Sequence, residues 1–232
     1  MKIIQRPSPN FNERKAPLDM LVLHYTGMET GDAAVERMCD EEASVSAHYM
    51  IRENGEVVQL VAEDKRAWHA GVSQWQGDED LNSRSIGIEI VNGGHDWPDD
   101  DDALPAYPDV QIEAVIELSK AVIQRWDIPE TRIVGHSDIA PARKQDPGEH
   151  FPWKRLSEHA IGLWPTVVEP SSAPLPASLA AIGYNLEDEQ AAIKAFQRRW
   201  RPSSVTGEPD AETASIAAAV ARLYSAGLSS AS

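Results

Sequence analysis

GHSDIAPARKQDPG, residues 135–148, follows directly on the short apolar run Arg132-Ile133-Val134 and reads as a strand that ends in a ligand-bearing loop. His136 leaves the strand end, and Pro141 and Pro147 impose a rigid, non-helical path that returns Asp146 toward it. Neutral imidazole with carboxylate is a common zinc pairing, and Lys144 stands two places before the aspartate. A catalytic zinc needs a third protein ligand and an open position for water. His24, at the C-terminal end of the apolar run MLVLHY (residues 20–25), is the candidate.

Other runs place that loop in a fold. Residues 20–25, 47–52, 56–61, 86–91 and 132–135 are strand candidates, and Glu53-Asn54-Gly55 joins the second to the third as an antiparallel hairpin. Helical spacing covers Asp32 to Glu42 and Asp109 to Trp126, the latter through Ile112, Val115, Ile116, Val122 and Ile123. Helices alternating with strands predict an α/β domain around a largely buried sheet. Glu89 interrupts the run IGIEIV. It is either an outward-facing edge residue, opposite the Ile86, Ile88, Ile90 face, or a buried carboxylate held for a metal or for catalysis.

The chain carries 21 Lys and Arg against 37 Asp and Glu, a net charge of −16, and no basic stripe. This excludes a nucleic-acid surface, which requires clustered cations. The acidity belongs to the first 170 residues, and the segment 96–102 (DWPDDDD) is expected to be a solvated loop. The lone Cys39 cannot form an intramolecular disulfide and is expected to be a buried thiol. Prolines and charges occupy the N-terminus where a secretory signal carries its apolar region, and no run has the length of a membrane span. The expectation is a soluble, cytoplasmic protein without a membrane partner, the alternative being export by a non-standard route.

After Trp164 the composition shifts. Residues 165–177 mix Pro, Ser and Ala without periodicity and are expected to link a domain over 1–164 to a small all-α domain over 178–232. Helices are expected near Ser178 to Gly183, Glu187 to Trp200 and Asp210 to Ser225.

Five ordered blocks, LHYTG (23–27), SAHYMIRENGEVVQLV (46–61), AWHAG (67–71), NSRSIGIEIVN (82–92) and VGHSDIAPARKQDPG (134–148), resemble the zinc-dependent N-acetylmuramoyl-L-alanine amidases related to the peptidoglycan recognition proteins. The resemblance implies a mixed central β-sheet flanked by helices, with Zn²⁺ held by His24, His136 and Asp146. It also implies Glu89 as acid/base and Lys144 as oxyanion stabiliser. His69 matches a family position near the substrate cleft, Trp68 is either a sugar platform or a buried tryptophan, and Tyr25 and Asn92, adjacent to motif residues, are cleft-lining candidates. His48 is expected to be structural or to orient a ligand, and His95, His150 and His159 to lie at the surface. The C-terminal Ala192-x-x-x-Phe196-Gln197-Arg198-Arg199 and Val205-Thr206-Gly207-x-x-Asp210 blocks resemble a three-helix peptidoglycan-binding module.

The implied reaction is hydrolysis of the amide between N-acetylmuramic acid, in its anhydro form, and L-alanine of a muramyl peptide or peptidoglycan fragment, during recycling or turnover. The alternatives are a non-catalytic recognition protein, a metal peptidase for another amide, and an exported amidase acting on polymeric wall.

Overall fold

The computed structural model describes residues 2–99 and 103–230. Among these, six strands form one mixed sheet in the order β1 (Ile3–Gln5), β5 (Val57–Gln59), β4 (Tyr49–Ile51), β7 (Ser85–Ile90), β3 (Met20–Tyr25) and β8 (Ile133–Gly135). β8, β3, β7 and β4 run parallel, and β4 and β5 form the expected antiparallel hairpin. Gly55 turns that hairpin at φ +79°, a conformation that favours glycine. The β1 strand and a small ribbon, β2 (Phe11–Glu13) with β6 (Lys65–Ala67), escape a sequence reading. Each is three residues long, too short for a period to show.

Alternation decides which face each helix covers. Leu21 and Leu23 of β3 and Ile86, Ile88 and Ile90 of β7 point one way, onto α3 (Asp109–Trp126) through Ile112, Val115 and Val122. The α3 boundaries match the helical period read from the sequence, because its apolar positions meet an apolar sheet face throughout. On the other face, α1 (Gly31–Cys39) packs Ala34, Val35 and Met38 over Met50, Val58 and Val91. Cys39, at the end of α1, is half-buried rather than buried.

Three short helices, α2 (Leu81–Arg84), α4 (His136–Ile139) and α5 (Trp153–Ser157), join these elements, and the rest of that second face belongs to the C-terminal helices α6 (Leu175–Ile182), α7 (Glu189–Trp200) and α8 (Ala211–Ser230). One core cluster joins Met20, Val22 and Val134 of the sheet with Leu179, Ile182, Phe196, Val220 and Tyr224. α6 starts three residues before the expected Ser178. Its first turn contains Pro176, and a proline there loses no hydrogen bond, so proline-rich sequence begins a helix instead of ending a connector. The Phe-Gln-Arg-Arg block is also used internally. Phe196 is fully buried, and the Gln197 amide oxygen accepts from the Thr206 and Gly207 backbone N–H groups at 2.9 and 2.7 Å, pinning the turn into α8.

Of the acidic loop, Asp96 to Asp99 are exposed as expected, while residues 100–102 lie outside the described residues. Among the described residues no helix is long and apolar enough to cross a membrane.

A core that spans sheet and C-terminal helices predicts one cooperative unfolding transition. Leu179→Ala, at a fully buried position, should cost about 2–5 kcal/mol and lower the urea midpoint of the whole chain. Two separate transitions, with the sheet unaffected, would contradict the shared core.

Candidate metal centre

The parallel register places the chemistry. His24 of β3 pairs with Glu89 of β7, and Leu23 pairs with Gly135 of β8, so the residues after Leu23 and Gly135 emerge at one end of the sheet. His24 Nδ1 lies 3.0 Å from His136 Nδ1 and 2.9 Å from Asp146 Oδ2, and His136 Nδ1 lies 3.1 Å from the same oxygen. Three buried ligand atoms thus converge on one point, a cluster able to hold a metal ion. The path is not wholly non-helical as expected, because His136–Ile139 form one helical turn, α4, before the loop that carries Lys144 and Asp146. The segment closes through Ser137 N–H donating to the Asp146 carbonyl at 2.9 Å.

Both imidazoles have their remaining nitrogen assigned. His136 Nε2 faces the Ala70 carbonyl at 3.1 Å, and His24 Nε2 faces His69 Nδ1 at 3.0 Å. If Nδ1 of each ring offers its lone pair to a metal, each Nε2 carries the proton and donates it. His69 then accepts at Nδ1 and donates from Nε2 to Ser85 Oγ (3.3 Å), whose hydroxyl donates to the Leu81 carbonyl at 2.6 Å. This is a directional chain that fixes the tautomer and tilt of a ligand, the outer-shell arrangement common to metal-binding histidines. Burial, foremost, and the neighbouring His136 push His24 down to about 4, so the ring is neutral. Burial opposes ionisation of Asp146, yet His136 and His24 together hold its carboxyl below the usual range.

A cavity of 330 Å³ opens over the cluster, walled by Tyr25, Trp68, Glu89, Lys144 and, from α1, Arg37 and Met38. Glu89 is half-buried, and its Oε2 has no hydrogen-bond partner. Burial and the Asp146 carboxylate push it well above the ordinary range, while Lys144 pulls the other way. Of the two readings of Glu89 left open by the sequence, the edge residue is removed, since β4 and β3 flank its strand.

Of the cleft candidates, Tyr25 and half-buried Trp68 line the wall, whereas Asn92 lies outside it. The Asn92 side chain braces a loop, donating to the Pro105 carbonyl at 2.7 Å and accepting from Gly94 N–H at 2.9 Å. His69 lines the cavity but is 8% exposed and engaged with His24, which makes it a support for a ligand. His48 is structural: its Nδ1 accepts from Gly87 N–H at 3.0 Å, and its Nε2 meets the Lys65 carbonyl at 3.0 Å.

His95 and His150 depart from the surface expectation. His95 Nδ1 contacts the Tyr25 hydroxyl at 3.0 Å, and half-buried His150 stacks on Tyr107 with ring centroids 4.8 Å apart. Sequence reasoning also passed over Arg37, Arg143 and Asp96 in the cavity wall, and Gly87 beneath His69. Gly87 sits two residues before Glu89 on the same face, a period-2 signal that could have pointed to it.

A family model described as N-acetylmuramoyl-L-alanine amidase matches residues 14–149. The solved amidase AmiD from Escherichia coli, in complex with anhydro-N-acetylmuramic acid-L-Ala-D-γ-Glu-L-Lys, is 34% identical, with 94% of this chain and 99% of that one covered and a TM-score of 0.80. AmpDh3 from Pseudomonas aeruginosa, in complex with an anhydromuramic pentapeptide, is 35% identical with 94% and 96% covered and a TM-score of 0.77. The 1,6-anhydro-N-acetylmuramyl-L-alanine amidase AmpD of Escherichia coli is 39% identical over 170 residues, 65% of this chain and 87% of that protein.

Two outcomes follow from the packing beneath the cluster. A Cβ on Gly87 would lie 2.5 Å from the His69 ring, so Gly87→Ala should displace His69 and weaken metal affinity about 10–100-fold in a chelator competition; unchanged affinity would contradict the orienting chain. Burial, then Arg14, pushes His48 down from 6.5 to about 3. As pH falls below 6.5 the unfolded chain takes up a proton that folded His48 refuses. The His48 contribution is therefore complete above that pH and shrinks progressively toward pH 3, and the urea midpoint of the metal-free protein should be lower at about pH 5 than at about pH 7. A higher midpoint at the lower pH would contradict it.

Proposed function

Since the chain belongs to the N-acetylmuramoyl-L-alanine amidase family, we propose that it uses Zn²⁺ at His24, His136 and Asp146 to hydrolyse the amide joining anhydro-N-acetylmuramic acid to L-alanine in soluble muropeptides. The observation that carries this reading is the convergence of two ring nitrogens and one carboxylate oxygen beside an unpartnered carboxylate. Tetrahedral zinc with ligand bonds of about 2.0–2.2 Å keeps its ligands roughly 3.3 Å apart. The edges of this triangle, 2.9–3.1 Å, are close to that spacing. Two neutral imidazoles and one carboxylate are also the donor set of known catalytic zinc sites that leave a position open.

When bound there, zinc retains net positive charge, polarises the scissile carbonyl and makes water a competent nucleophile near pH 7, lowering its pKa to about 7. Glu89 takes the proton from the attacking water and delivers it to the departing amine of L-alanine; its raised carboxyl pKa suits both directions of transfer. Lys144 projects from the loop that carries Asp146 and offers its ammonium to the carbonyl oxygen as negative charge develops. Tyr25 and Trp68 line the walls where sugar and peptide bind. Anhydromuramyl peptides are supported as the substrate class by the ligands of the AmiD and AmpDh3 complexes.

Within the same proposal, residues 1–164 carry the chemistry, the connector ends at Pro174 rather than at residue 177, and α6 to α8 form a peptidoglycan-binding-like module. A protein that recognises fragments without cutting them has no use for Glu89 and Lys144 facing the ligand cluster, which favours the enzyme.

Zinc-loaded protein mixed with an anhydromuramyl tripeptide should release free tripeptide, detected by mass spectrometry; no release would sink the proposal. Glu89→Gln should bind zinc as before and lose about 10²–10⁴-fold in kcat. Retained turnover in that variant would remove Glu89 from the proton path.

A further inference from the structure

The C-terminal helices reach the metal loop through two consecutive buried charges. Arg199 of α7 is 3% exposed and lies between Trp153 and Trp200, 4.0 and 4.6 Å from their ring centroids. It donates from Nη1 to Asp138 Oδ2 at 2.7 Å and from Nη2 to the Ile133 carbonyl of β8 at 3.1 Å. Asp138 is 1% exposed and serves both sides of the contact. Its Oδ2 also accepts from Gly135 N–H at 2.8 Å, and its Oδ1 accepts from the Tyr184 hydroxyl at 2.6 Å. The backbone that carries His136 is therefore caught between Gly135 and Asp138, and Asp138 is held by residues of the C-terminal part.

Arg198, 4% exposed, takes the other half of the loop. Its Nη2 donates to Gln145 Oε1 at 3.1 Å, beside Asp146, and its Nε donates to Glu149 Oε2 at 3.3 Å. Glu149 in turn pairs with His95 Nε2 at 3.2 Å, and His95 meets the Tyr25 hydroxyl next to His24. Every ligand thus has a neighbour within two residues that this chain of contacts holds.

Packing alone does not account for two buried guanidinium groups, because apolar residues fill such space without the desolvation cost of burying charge. What the planar fork adds is direction: one Arg fixes two acceptors at set angles. We propose that Arg198 and Arg199 are positioning residues of the metal centre, acting through Gln145 and Glu149 and through Asp138 to hold the loop 135–148 in its ligand geometry. The inference rests on the amidase reading for the identity of the metal. In it the helical part completes the site, beyond any role in holding substrate.

The test uses the full chain with Arg198→Gln, Arg199→Lys and Arg199→Met, and Leu179→Ala as a substitution that touches the shared core alone. Zinc affinity is read by chelator competition, loop order by amide hydrogen exchange at Ser137 and Gly148, and kcat and KM on the anhydromuramyl tripeptide. The arginine variants should lose about 10–100-fold in zinc affinity, exchange faster in the loop, and lose kcat with KM unchanged, Lys at 199 retaining more than Met. Leu179→Ala should lower the melting temperature and leave zinc affinity of the folded protein as it was.

If the arginine variants melt lower but keep wild-type zinc affinity and loop exchange, the positioning role is overturned. Should Arg199 variants not fold, Arg198→Gln decides by the same readouts. Wild-type protein that binds no zinc defeats the amidase reading instead, and loop exchange then decides the positioning claim alone.

Discussion

The centre depends on the parallel register of β8, β3 and β7. Pairing Leu23 with Gly135 and His24 with Glu89 brings one imidazole, one carboxylate and the start of a ligand loop to a common sheet end. A slip of one residue along β3 would turn His24 into the apolar layer under α3 and bring Leu23 to the cleft, because side chains alternate with a period of two. The layer itself guards against that slip. Leu21 and Leu23 are fully buried on one face and Met20 and Val22 on the other, so both faces reject a polar side chain except at the strand end.

The cleft exists because two groups of helices divide the second sheet face between them. α1 covers the side near β4 and β5, and α6 to α8 cover the side near β3 and β8. The gap between them exposes the strand ends with His24 and Glu89. Charge is concentrated in this gap and in its supports. Asp146 shares one oxygen with two imidazoles, and Asp138 one oxygen with a guanidinium and a backbone N–H. The Asp138 carboxylate is thereby matched by donors, the condition under which buried charge is tolerated.

Local signals made much of this legible. The hairpin at Asn54-Gly55, the helix Asp109–Trp126 and the strand Met20–Tyr25 each depend on neighbours within a few residues, and each forms where the pattern puts it. His24, His136 and Asp146 stand out because strand ends and proline turns are readable in sequence. What could not be read is contact at long range. Trp75 falls in irregular sequence, yet it packs edge-on to Tyr184 at 5.1 Å and Tyr224 at 6.2 Å to tie the C-terminal helices to the sheet. Histidine in Trp68-His69-Ala70-Gly71 reads the same whether it faces substrate or another histidine, and only the 3.0 Å approach to His24 separates the two. The burial of Arg198 and Arg199 is invisible for the same reason, since arginine on an amphipathic helix reads as solvent-facing.

X-ray absorption at the zinc edge, on this chain loaded with one equivalent of metal, tests most directly whether strand register builds this centre. The account predicts two imidazole nitrogens and light oxygen ligands at about 2.0–2.2 Å, with one imidazole lost in His136→Ala and the carboxylate contribution lost in Asp146→Ala. A first coordination sphere unchanged by both substitutions would place the metal elsewhere and contradict the account.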